Sequence, residues 1–189
     1  MKVAVLSFQG DVEEHVEIAN KAIERIGEGY AFATIKREEV READALIIPG
    51  GESTTISKLM IKSGVAEEIK NFAGIGKPVM GTCAGCIIIG KNEEVETLGL
   101  MDIWVRRNAF GRQKDSFEAK LNIERIGEFN CIFIRAPLIE KAGRGVEIMA
   151  KFNDYIVMAK QKNMLALSFH PELTGDTRIH EYFLKMADI

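Results

Sequence analysis

Cysteine, histidine and proline are scarce in this chain, and each shortage excludes something. Three cysteines among 189 residues are an odd count and too few for a disulfide framework. A reducing compartment, the cytoplasm, is therefore the expected home. Beyond Cys83 and Cys86 there is only Cys131, and His15, His170 and His180 show no ligand spacing, so no metal site is expected. Four prolines, no low-complexity tract and no internal repeat give no sign of a flexible linker. One domain over 1–189 is expected, long enough for a sizeable core. A net charge of −3 without a long basic run argues against a nucleic-acid or acidic-membrane partner. No apolar stretch approaches the ~18 residues of a membrane span. The opening "MKVAVLSFQG" is too short for a signal segment and lacks a small-residue cleavage site.

What is present is an alternation of strand and helix signals. "KVAVLSF" (2–8), "YAFATI" (30–35), "ALIIPGG" (45–51) and "KPVMG" (77–81) read as buried strands. Between the first two, Asp11 offers an N-cap with Glu14 as capping-box partner. Val12, Val16, Ala19, Ile23 and Ile26 then form one apolar helical face that stops at Gly27. Two short helices are expected at 53–63 and 65–73, and "AGCIIIGK" opens a buried one. After residue 97 the runs "LMDIWVRR", "FEAKLNI", "NCIFIRA", "VEIMAKF", "YIVMAKQ" and "MLALSF" are strand-like, with hairpin turns at "FNDY" and "QKNM". A last helix is expected at about 176–187. The implied architecture is α/β: a three-layer, mostly parallel sheet flanked by helices, with an antiparallel extension.

The chemistry concentrates in "GTCAGC" (81–86), which supports three readings. As half of a zinc site it lacks partner ligands. As a C-x-x-C redox pair it stands where thiol oxidoreductases place theirs, because a helix start stabilises a thiolate. As G-x-C-x-G it is a nucleophile elbow. Gly81 and Gly85 flank Cys83 by two residues and relieve the crowding of a tight strand-to-helix turn. The elbow also aims the Ala84 amide at the same point, as half of an oxyanion hole. Cys86, one turn on, is expected to face the core.

A cysteine nucleophile needs a base. His170 ends an apolar run in "FHPE", and residues i and i+2 of an extended segment share a face, so Glu172 stands beside it in the third-member role of a triad. A helix-capping turn is the alternative reading of the same residues. His15 and His180 read as surface or partly buried residues rather than catalytic ones. The second oxyanion donor is expected from "PGGES" (49–53), whose glycines allow close backbone approach and a change of peptide orientation. Glu52 there could meet a substrate ammonium, and Ser53 could simply cap the next helix. "GIGKP" lacks the earlier glycine of a phosphate loop, and there is no G-x-G-x-x-G.

A glycine-glycine loop, a G-x-C-x-G elbow and a late His-Pro-Glu, in that order, resemble the class I (triad) glutamine amidotransferases. "FQGDVEEH", "PGGEST", "LGLMDI", "RNAFGRQ..SFEA", "FIRAP" and "SFHPEL" resemble one branch, the glutaminase subunits of pyridoxal 5'-phosphate synthase. The resemblance implies hydrolysis of L-glutamine to glutamate and ammonia, with Cys83 as nucleophile and His170 and Glu172 as its partners. It implies a thioester intermediate, no cofactor, and a synthase subunit that takes the ammonia. By position it carries the glutamine contacts to Gly51, Glu52, Ser53, Arg107, Ile134 and Arg135, and the oxyanion hole to Gly51 and Ala84. Cys86 stands where the family usually has an aliphatic residue.

Overall fold

The computed structural model describes residues 1–109 and 116–187; "FGRQKD" (110–115), the middle of one branch motif, lies outside them. Strands β1 (Lys2–Leu6), β2 (Tyr30–Thr34), β3 (Ala45–Ile48) and β4 (Val79–Thr82) pair in parallel in the order β2-β1-β3-β4. Helices α1 (Val12–Ile26), α2 (Arg37–Glu42), α3 (Ser53–Lys62), α4 (Val65–Gly74) and α5 (Ala84–Ile89) make the connections and the start of the next segment. Every residue of β3 and β4 is buried, as strands covered by helices on both faces must be.

The second half follows with β5 (Ile103–Arg106), β6 (Ser116–Ile123), β7 (Gly127–Ile134), β8 (Leu138–Ala142), β9 (Glu147–Phe152), β10 (Tyr155–Gln161), β11 (Met164–Leu167) and helix α6 (Arg178–Leu184). β11 pairs parallel to β4, and β10, β8 and β5 then continue the sheet antiparallel, with β9 on β10. This is the mostly parallel sheet with an antiparallel extension. β6 and β7 form a separate two-stranded hairpin. Two elements have no counterpart in the sequence reading, the six-residue α2 and the five-residue β8; both are too short to show a period.

Apolar clusters fill both faces of the sheet. One gathers Leu46, Ile48, Met60, Ile69, Phe72 and Ile88 beneath α3, α4 and α5. The other gathers Val5, Ile23, Phe129, Phe133, Phe169 and Phe183 between the sheet, α1, α6 and the hairpin. The buried side of α1 is His15, Ile18, Ala19, Ala22 and Ile23, so its face is rotated from the expected one and includes a histidine. Asp11 makes no side-chain cap bond, contrary to the capping-box expectation. Among the described residues no helix is long and apolar enough to cross a membrane.

Candidate active site

Four adjacent parallel strands, β1, β3, β4 and β11, deliver residues to one point beyond their carboxyl ends, where open α/β sheets build sites. β1 leads to Gln9-Gly10-Asp11, β3 to Gly50-Gly51-Glu52, β4 to Cys83 and β11 to His170.

Cys83 has φ 49° and ψ −104°, a conformation that L residues avoid and that marks the sharp bend of an elbow. The flanking glycines are sterically obligatory. A Cβ on Gly81 would overlap the Gly85 carbonyl, and one on Gly85 would overlap the Ile48 carbonyl of β3. The Cys83 amide donates to the Leu167 carbonyl at 2.8 Å, which ties the bend to β11. The Cys83 thiol lies 3.8 Å from the Ile134 carbonyl. Cys86 is fully buried in α5, and burial pushes its thiol well above the ordinary range. Cys83, Cys86 and Cys131 are all free thiols.

His170 and Glu172 meet, though not by the expected geometry. Pro171–Leu173 forms a 3-10 turn rather than an extended segment, so the capping-turn reading of "HPE" describes the backbone. The turn nevertheless brings Glu172 Oε1 to 2.6 Å from His170 Nδ1. A second carboxylate reaches the same nitrogen: Asp11 Oδ2 stands 3.3 Å away. Burial alone would depress the imidazole, but hydrogen bonds to Asp11, Cys83 and Glu172 outweigh it and raise His170 to about 12. Burial pushes Glu172 upward, and the His170 N–H opposes that shift. With Nδ1 held by carboxylates, Nε2 is the nitrogen left to exchange a proton with the thiol. The His170 amide donates to the Ile132 carbonyl at 2.8 Å, so the β6–β7 hairpin is fastened directly to His170.

His15 and His180 are neither surface residues nor partly buried ones. Both are 0% exposed; His15 lies against Glu172 and His180 against His15. Asp11 and these two histidines are the components that sequence reasoning missed. The histidine at a helical core position beside Ile18 and Ala19 was the one available signal.

A cleft of about 440 Å³ opens over Cys83. Gly51, Glu52, Ser53, Ala84 and His170 line it from the sheet side. Arg107, Asn108, Ile134 and Arg135 line it too, so every expected glutamine contact falls in one cleft. Glu172 alone is set back, behind the imidazole. Arg106 pairs with Glu140 at 3.0 Å and does not line the cleft, which leaves Arg107 and Arg135 as its cationic residues. Asn108 and Arg135 both have positive φ, 45° and 43°, so three strained residues border the same space. Glu52, rather than Ser53, caps α3. Its carboxylate accepts from the Thr55 hydroxyl and the Thr54 and Thr55 amides, which holds it down at about 2, and Arg107 lies 3.3 Å from it. Gly10, Gly50 and Gly51 pack the loop after β3 against the β1–α1 turn. A Cβ on Gly10 would overlap the Gly50 carbonyl, and one on Gly50 would crowd His170 and Asp11.

A cysteine elbow and a histidine–glutamate pair at neighbouring strand ends of a mostly parallel sheet define the class, the class I glutamine amidotransferases. A crystal structure of a glutamine amidotransferase, 44% identical, superposes with a TM-score of 0.90 over 99% of both chains. A glutamine amidotransferase from Thermotoga maritima, 11% identical, shares the fold with a TM-score of 0.65 over 100% of this chain and 99% of that one. The model of the SNO glutamine amidotransferase family matches residues 5–188. The pyridoxal 5'-phosphate synthase subunit PdxT of Archaeoglobus fulgidus is 54% identical over 100% of this chain and 99% of its own. PdxT of Geobacillus kaustophilus is 50% identical over 99% of this chain and 95% of its own. The chain belongs to the SNO glutamine amidotransferase family, and it is an enzyme acting on the side-chain amide of glutamine.

Proposed function

We propose that this chain, as a single glutaminase domain in the cytoplasm, supplies ammonia to a pyridoxal 5'-phosphate synthase subunit, with Cys83, His170 and Glu172 as its catalytic triad. The observation that carries the reading is the strained Cys83 elbow beside an imidazole whose Nδ1 is held 2.6 Å from Glu172. The Cys83 thiolate attacks the carboxamide carbon, and the amides of Gly51 and Ala84 receive the oxyanion. One such donor is worth about 3 kcal/mol of barrier. The C–N bond breaks as His170 gives its proton to the departing ammonia. The same imidazole then takes a proton from water, which hydrolyses the thioester and releases glutamate. Arg107 and Arg135 carry the positive charge that a substrate carboxylate needs.

Ammonia released to solvent is protonated and lost as a nucleophile, so a partner that receives it directly is part of the reading. The Gly50-Gly51 peptide is the element that docking turns on: it is free of side chains and packed against the β1–α1 turn. The test is ammonia release from L-glutamine with and without the synthase partner. Added synthase raises turnover. Equal rates sink the activation, and no ammonia in either condition sinks the function.

A further inference from the structure

Behind the triad lies a sealed polar cluster that the reaction as described does not use. Glu172 turns Oε1 to His170, while Oε2 is shut off from solvent and receives no hydrogen bond of ordinary geometry among the described residues. The ring nitrogen Nε2 of His15 stands 3.3 Å from Oε2 and 2.9 Å from Thr82 Oγ1. The other nitrogen of His15, Nδ1, is 3.2 Å from Nε2 of His180. His15, Thr82 and His180 are all 0% exposed. They come from α1, β4 and α6, three elements that converge only in the folded chain.

The protons in this cluster can be placed by elimination. Burial raises Glu172, but the His170 hydrogen bond at 2.6 Å and the charge of the imidazolium oppose that rise, so Glu172 is taken as the ionised, acceptor-only partner of His170. Its second oxygen must therefore face a donor, because a lone pair on His15 Nε2 would repel it. Nε2 of His15 thus carries the proton: it is directed at Thr82 Oγ1, 2.9 Å away, while Glu172 Oε2, 3.3 Å from the same nitrogen, is in electrostatic contact with it and not hydrogen-bonded. A neutral imidazole with its proton on Nε2 has an accepting Nδ1, so the proton between the two histidines belongs to Nε2 of His180. That leaves His180 Nδ1 with a bare lone pair, and it is this atom that is buried without a partner among the described residues. The chain is consistent from end to end with both rings neutral. Burial depresses His15, and His180 is brought down to about 3.

We propose that His15 is a positioning residue of the glutaminase reaction: its Nε2–H, set by His180, holds Glu172 ionised and oriented so that Glu172 can hold His170. The inference rests on the triad assignment and extends it by two residues. The titratable groups that face this cluster are Asp11 and His15 from the start of α1, Cys83 from the end of β4, His170 and Glu172 from the turn after β11, and His180 from α6. Removing the His15 N–H takes the positive end of its dipole away from the buried Oε2, 3.3 Å distant, which raises the Glu172 pKa further. Glu172 must be ionised to hold the imidazolium, so the acid limb of kcat/KM moves to higher pH.

The experiment compares His15→Met and His15→Gln with the unaltered chain, each in complex with the synthase partner, by kcat, KM and the pH profile of ammonia release. Gln keeps an N–H donor near the Nε2 position and Met does not. His15→Met is expected to lose roughly tenfold or more in kcat, with KM little changed and the acid limb raised by about one pH unit. His15→Gln is expected to recover most of both. A His15→Met acid limb that coincides with that of the unaltered chain overturns the proposal, as does a His15→Gln variant as slow as His15→Met. If His15→Met does not fold, His180→Leu carries the test, because it frees the His15 tautomer: a raised acid limb supports the proposal and an unmoved one overturns it. An unaltered complex that releases no ammonia refutes the triad reading itself, a separate result.

Discussion

Cys83 and Cys86 sit three residues apart in opposite environments, and separating them experimentally decides what the C-x-x-C spacing means. Cys83 borders the cleft on strained backbone. Cys86 is 0% exposed within the apolar cluster beneath α3 and α4. On the proposed triad, Cys83→Ala takes away the nucleophile and with it the covalent route, so glutamine hydrolysis is expected to fall at least about a thousandfold, or roughly 4 kcal/mol of barrier. Cys86→Ser replaces a buried thiol with a hydroxyl that finds little to bond to, at a cost of about 1–3 kcal/mol. For a chain of this length that lowers Tm by roughly 2–12 °C, leaving a folded protein at assay temperature. Its kcat is expected to stay within about twofold of the unaltered chain, because α5 and the elbow backbone keep their places. The assay is ammonia release in the presence of the synthase partner, with circular dichroism and a thermal melt on each variant. A Cys86→Ser protein that is folded yet as slow as Cys83→Ala would refute the single-nucleophile reasoning and return the thiol pair to consideration. Insulin reduction would then be the direct measurement.

Two more substitutions probe the walls of the cleft. Arg107→Ala removes one of the two cations that line the cleft, and one charge-assisted hydrogen bond of about 1.5–3 kcal/mol should appear as a rise in KM of roughly 10- to 100-fold with kcat nearly unchanged; a loss confined to kcat would place Arg107 outside substrate binding. Asp11→Asn removes the second anion on His170 Nδ1 and keeps the side-chain shape. A raised imidazole pKa favours the protonated form until pH climbs past it, so losing Asp11 lowers that pKa and moves the basic limb of kcat/KM to lower pH. A basic limb that stays in place, or moves up, shows that Asp11 does not act on His170.

Local signals go a long way in the first half of the chain. The apolar runs at 2–8 and 45–51 correspond to β1 and β3 because a strand buried on both faces needs nothing but apolar side chains, and that shows in sequence. The elbow is legible for a similar reason. Two glycines are forced by backbone contacts within a single strand–turn–helix unit and with its neighbour β3, so the constraint is written next to the cysteine. Helix α2 is not legible: its residues "REEVRE" are charged apart from one buried side chain, Val40, and a single apolar residue sets no period. Asp11 misleads for a related reason. Its position fits an N-cap, but its carboxylate is recruited by the imidazole of His170, from the far end of the chain, and such competition leaves no local trace.

The His170–Glu172 pair carries the sharper lesson. An i, i+2 spacing on extended backbone suggests a shared face, yet the chain turns into a 3-10 helix at Pro171 and the two side chains still meet at 2.6 Å. The contact survives a change of backbone because what selects it is electrostatic. A carboxylate sealed from solvent must face a donor, and the neighbouring imidazole is the donor within reach. The same requirement applies to the other oxygen of Glu172, and there sequence spacing offers nothing. The group facing it is a histidine on a helix near the opposite end of the chain, placed by the packing of α1 against the sheet and α6. Residue types can announce that a buried anion will need two donors. Only the fold says which side chains stand close enough to be those donors, and so the proposed triad is readable in sequence while the histidines behind it are not.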